Sequence, residues 1–118
     1  NFKKKFYYYY VWKKNQKVIG YAIYRKSISF LTGISSILIS TAVVPEFRGK
    51  GIGKALMLQS LSNQHRNGNN SIGLIVENVN TNAIIFYKKL GFTINSYDRH
   101  NIFSFFNKRT WMSKKDIT

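Results

Sequence analysis

Val43-Val44-Pro45-Glu46-Phe47-Arg48-Gly49-Lys50-Gly51-Ile52-Gly53-Lys54 is the stretch from which the rest of the chain is read. An apolar, β-branched run enters a turn with glycine at every second position, and a helical pattern follows at once. Glycine lets backbone approach a ligand closely, and a helix start presents N–H groups without intrahelical partners. Together they make a nest suited to a phosphate or pyrophosphate. Two general nucleotide motifs are excluded. A Walker loop closes on Gly-Lys-Ser/Thr, whereas Gly53 is followed by Lys54-Ala55. A dinucleotide fingerprint, Gly-x-Gly-x-x-Gly, needs its third glycine one residue later.

Working outward, Ser36 to Val44 reads as a buried central strand. Gly53 to Asn67 reads as a helix with Ala55, Leu58 and Leu61 on its apolar face and Gly68 as its stop. Ser71 to Glu77 is a second continuous apolar strand. Thr81 or Asn82 is expected to cap the next helix, whose stripe Ala83, Phe86, Tyr87, Leu90 has i, i+3, i+4, i+7 spacing. Gly91 ends it, with Lys88 and Lys89 near the negative end of the helix dipole.

On the N-terminal side, Phe6 to Trp12 and Val18 to Tyr24 read as a hairpin around the polar turn Lys13 to Lys17. The four tyrosines Tyr7 to Tyr10 fall two on each face. Packing in the sheet is their leading role, and stacking against bases is the alternative. Ser27 to Thr32 is a loop or a short strand. Phe92 to Tyr97 and Ile102 to Met112 complete the pattern as a final strand pair. The sum is one α/β (α+β) domain over residues 1–118, strands outnumbering helices, without repeat or linker.

Hydrophobic content of 44% argues against disorder, and 118 residues suffice for a single core. The absence of cysteine excludes disulfides, thiolate metal sites and thiol nucleophiles. No apolar run is long enough for a membrane helix, and no signal-peptide pattern opens the chain. A cytoplasmic location with no membrane partner is the default expectation. Nineteen Lys and Arg against four acids give +15, a field that attracts polyanions such as nucleic acid or acidic protein surfaces.

Arg48-x-x-Gly51-x-Gly53, set between a strand and a helix, resembles the acetyl-CoA loop of the GNAT superfamily of N-acetyltransferases. The segment Asn80-Thr81-Asn82-Ala83-Ile84-Ile85-Phe86-Tyr87-Lys88-Lys89-Leu90-Gly91-Phe92 is similar to the family's second signature, Asn-x-x-Ala-x-x-Phe/Leu-Tyr-x-Lys-x-Gly-Phe. The two occur in the family's order and together span roughly residues 36 to 92. The resemblance implies a GNAT-like mixed central sheet, mostly antiparallel, whose two central strands splay apart, with two recognisable helices. It also implies an N-terminally short chain. Family members usually begin with a strand and two helices, and no helical period precedes residue 35.

The resemblance further implies acetyl-CoA as cosubstrate, no metal, and an amine acceptor that is a small molecule or a peptide or, as the alternative, an RNA- or ribosome-linked amine. The cofactor would lie between the two central strands. Ala42, Val43 and Val44 would pair with its pantetheine amides, and Arg48, Gly49, Lys50, Gly51, Ile52, Gly53 and Lys54 would hold its pyrophosphate. Asn80 would bond the pantetheine arm or cap the following helix. Tyr87 would protonate the departing thiolate. The general base has no clear bearer. Glu77, His100, and Ser40 and Thr41 through a water are candidates, and Glu46 reads as structural. A non-catalytic acyl-CoA-binding domain is the alternative to an enzyme. A homodimer is compatible with the pattern and not required by it.

Overall fold

The computed structural model describes residues 6–27, 35–76, 79–97 and 104–107. Strands β1 (Tyr7–Lys14) and β2 (Lys17–Lys26) form an antiparallel hairpin, with Lys14 opposite Lys17. The loop between them is therefore only Asn15 and Gln16. Both adopt positive φ, 50° and 67°, the left-handed geometry whose twist matches that of the flanking strands. Asn tolerates this conformation readily.

Strand β2 pairs antiparallel with β3 (Ser36–Val43), and helix α1 (Ile52–Arg66) then crosses to β4 (Ile72–Val76), which lies parallel to β3. After helix α2 (Thr81–Lys89), β5 (Thr93–Tyr97) and β6 (Ser104–Asn107) complete a six-stranded sheet of order β1-β2-β3-β4-β6-β5. Every neighbouring pair is antiparallel except β3 with β4. Of the expected strand Ile102 to Met112, the described part, Ser104–Asn107, is β6, and the remainder lies outside the described residues. So does Ser27 to Thr32 beyond its first residue.

The core is built where α1 lies on the sheet. Leu56, Met57 and Leu61 are buried with Ala22, Tyr24, Leu38, Ile72 and Leu74, while Tyr8, Tyr10 and Trp12 pack against the same cluster. Burial of these apolar surfaces drives the association. The inward face of α1 is Leu56, Met57, Ser60, Leu61 and Gln64. The expected stripe of Ala55, Leu58 and Leu61 is corrected by that phase: Ala55 and Leu58 are only half-buried at its flank.

Polarity misleads at this face because Ser60 and Gln64 are buried with partners. The Tyr24 hydroxyl lies 2.7 Å from Ser60 Oγ, and Ser60 donates to the Met57 carbonyl at 3.1 Å. Gln64 Oε1 accepts from Ser36 Oγ (2.7 Å) and Asn69 Nδ2 (3.0 Å), and its Nε2 donates to the Tyr10 hydroxyl (2.9 Å). Satisfied groups of this kind can sit in a core that would reject them unpaired.

Candidate active site

The site begins where β3 and β4 separate. Their pairing runs through Ser36–Ile72, Ile37–Gly73 and Leu38–Leu74 and stops there. Beyond it, β3 continues to Val43 on the β2 side alone, with Tyr21 opposite Ala42 and Gly20 opposite Val43. Among the described residues its other edge therefore has no partner strand, the arrangement that accepts an extended ligand as a further strand. The closed end of this wedge is tied by the Ser35 and Ser36 N–H groups, both donating to the Ser71 carbonyl (2.7 and 3.3 Å).

The glycine loop stands at the open end. A single 3-10 turn, Pro45–Phe47, follows Val44, with Phe47 N–H donating to Val44 O at 3.0 Å and Arg48 N–H to Pro45 O at 3.2 Å. Glu46 is exposed on it. Gly49 and Gly51 then take φ of 76° and 83°, the left-handed region that favours glycine. A Cβ at either position would meet nothing within 4 Å, so both face open space. Gly53 has no such φ; it lies within α1, and a Cβ there would rest 3.7 Å from Val43 Cγ2.

Gly51 is the N-cap of α1 and offers no side chain, and the first turn holds no acid. The first intrahelical bond runs from Ala55 N–H to Gly51 O at 3.0 Å. The N–H groups of Ile52, Gly53 and Lys54 precede it and carry the positive end of the helix dipole. Arg48 turns back so that its Nε donates to the Val43 carbonyl at 2.8 Å, fastening the loop to the end of β3. Its guanidinium thus has a structural task as well as a charge. Lys50 is exposed beside the Phe47 ring (Nζ 5.7 Å from the centroid), and Lys54 is exposed on the first turn.

Asn80 caps α2: its Oδ1 accepts from Ala83 N–H at 3.2 Å. The expected cap at Thr81 or Asn82 is thus corrected by one or two residues. The capping bond occupies Oδ1, leaving Nδ2 as the group on Asn80 suited to a ligand carbonyl. Tyr87 lies on the inward side of α2 between Phe86 and Phe92, edge-to-face with each at 5.3 and 5.7 Å. Burial raises its hydroxyl pKa above the ordinary tyrosine value.

The candidate bases are less well served. Thr41 Oγ1 donates to the Tyr21 carbonyl at 2.9 Å, and Ser40 Oγ lies 3.0 Å from the Tyr21 hydroxyl. As adjacent residues of a strand they point to opposite faces, so a single water shared by both is ruled out. Glu77 and His100 lie outside the described residues. Among the described residues no cluster of His, Cys, Asp or Glu could hold a metal.

One residue of the site escaped the sequence reading. Gly20 sits where β2, the end of β3 and α1 converge; a Cβ there would come within 3.3 Å of the Ala42 carbonyl and 3.5 Å of Leu56. A lone glycine within a strand pattern was the signal that marks such a close approach.

Residues 5–94 match the family model described as an acetyltransferase (GNAT) domain. The N-alpha-acetyltransferase 30 of Schizosaccharomyces pombe is 33% identical over 78 residues, which cover 66% of this chain and 52% of that protein. The crystal structure of PH1933 from Pyrococcus horikoshii OT3 is 27% identical, with a TM-score of 0.76 over 86% of this chain and 64% of that one. The PaiA N-acetyltransferase of Thermoplasma acidophilum, solved with coenzyme A, is 22% identical and shares the fold at a TM-score of 0.71, covering 85% and 60%. The chain spans about half the length of the curated relative and under two thirds of these two solved chains.

Proposed function

The chain belongs to the GNAT acetyltransferase family, and from that premise we propose that it transfers the acetyl group of acetyl-CoA to a primary amine. The observation that carries the reading is the parting of β3 from β4 beside an uncapped, glycine-led helix start. That geometry offers a backbone edge for the pantetheine amides at Ala42 and Val43; Val44, expected to share in it, is already engaged, its N–H donating to the Ile19 carbonyl and its own carbonyl accepting from Phe47 N–H. The same geometry offers donors for the pyrophosphate at residues 49–54, with Arg48 and Lys54 adding charge.

In the reaction the amine nitrogen attacks the thioester carbonyl carbon, giving a tetrahedral intermediate whose oxyanion is met by strand N–H groups. The carbon–sulfur bond then breaks. Tyr87 gives its proton to the departing thiolate and is reprotonated by way of solvent, while the amine releases its proton to water. The relative named as an N-alpha-acetyltransferase makes peptide α-amines the first acceptors to try.

Release of the free thiol from acetyl-CoA, measured over a panel of peptides and small amines, tests the reading. Acceptor-dependent release is expected. Tight CoA binding with no release for any amine would leave an acyl-CoA-binding module instead.

A further inference from the structure

The face of the β1–β2 hairpin turned away from α1 is aromatic, basic and unused by the acyl-transfer chemistry. Strand alternation divides the four tyrosines: Tyr8 and Tyr10 pack against the core with Trp12, which leaves Tyr7, Tyr9 and Val11 on the opposite face. There the Tyr7 and Tyr9 rings stack, with centroids 6.1 Å apart and planes 23° from parallel. Tyr9 is 64% and Val11 54% exposed. Arg25 stands opposite Tyr7 across the hairpin, and Lys13 and Lys17 are exposed at its turn, where Lys14 turns instead to the Phe47 ring (Nζ 5.4 Å from the centroid). No acid occurs in residues 7–26, against five Lys and Arg.

We propose that this face binds unpaired RNA, with a base stacked on the exposed Tyr9 ring and the phosphates following Arg25 and the turn lysines. Flat aromatic rings flanked by cations are what a single strand requires, since every base has a face to stack and every nucleotide a charge to neutralise. A duplex hides its base faces. Unpaired loops and ends are the common form in RNA, where stacking on aromatic side chains is the usual mode of capture. A second copy of the chain fits poorly. A two-fold contact would set this cationic patch against itself. The proposal does not rest on the acetyl-transfer reading.

The test is fluorescence anisotropy of a short labelled RNA, single-stranded and as a duplex, titrated with the 118-residue chain at low and near-physiological salt. The single strand is expected to bind more tightly than the duplex. Tyr9→Ala is expected to lose about 5- to 100-fold in affinity for it, and Tyr9→Phe to restore binding. Arg25→Ala is expected to make the salt dependence shallower by about one phosphate contact. Tyr9→Ala should leave the circular dichroism spectrum and CoA binding unchanged, so that a folding defect, or a failure of the CoA site, is told apart from loss of this surface. Three results would overturn the proposal: no RNA binding at low salt, equal binding of both forms with no effect of Tyr9→Ala, or a dimer in sedimentation that Tyr9→Ala dissociates.

Discussion

At the scale of single residues, the glycines of the loop divide in two: Gly49 and Gly51 hold positive φ, whereas Gly53 lies within α1. Gly51 holds positive φ at the N-cap of α1 and faces open space. Valine there would strain the backbone by about 1–3 kcal/mol besides filling that space, so loss of binding in Gly51→Val mixes two causes. Asparagine tolerates the left-handed region. Gly51→Asn is therefore expected to keep the fold within about 1 kcal/mol by thermal denaturation while weakening CoA binding by about tenfold or more in calorimetry. Gly53→Ala is the control. Its methyl rests on Val43, and helix propensity predicts a gain of up to about 1 kcal/mol with CoA affinity retained. Tyr87→Phe removes only a hydroxyl. It should leave cofactor affinity intact and lower kcat by about 10²- to 10⁴-fold; unchanged turnover would make Tyr87 a packing residue.

At the scale of elements, the seating of α1 depends on Gln64, which joins the helix to β1, to the first residue of β3 and to the loop before β4. Gln64→Leu would leave Ser36 Oγ and Asn69 Nδ2 buried without that partner. A loss of about 3 kcal/mol in urea denaturation is expected, and a loss below about 0.5 kcal/mol would mean that water replaces the amide. The same residue explains why the phase of α1 was misread. A glutamine and a serine look like surface residues until their partners, distant in sequence, are known. By contrast β3, β4 and both glycine stops were legible, because continuous apolar runs and glycine at positive φ are local signals. The splay was implied only by resemblance, since no residue pattern encodes where a ladder ends. The cap of α2 stays open between Asn80, Thr81 and Asn82 in the sequence because all three residue types can cap a helix, and the structure selects Asn80. The contacts of Gly20 are not legible in the sequence, for the groups it admits come from two later elements.

At the scale of the whole molecule, two properties follow from the arrangement of its tyrosines and its charge. Burial raises the hydroxyl pKa of Tyr10, Tyr24 and Tyr87, so their folded values lie above the unfolded value of about 10. Their contribution to stability is complete below about pH 10 and is lost as pH rises through the folded values. Melting temperature is thus expected to fall steeply on the alkaline side. Tyr24→Phe should flatten that fall by up to about 1.4 kcal/mol per pH unit, and an unaltered slope would count against the buried phenol as its source. The +15 charge gives any polyanion a salt-sensitive attraction, whereas a ligand held by backbone donors at a helix start is less affected. The most direct measurement of the central claim is an amide ¹H–¹⁵N NMR titration of the chain with CoA at near-physiological salt. The account predicts saturable shifts concentrated in residues 42–44 and 49–54, with the Ile52, Gly53 and Lys54 amides among the largest. Shifts spread over the lysine-rich surface without saturation, or none at the loop, would contradict it.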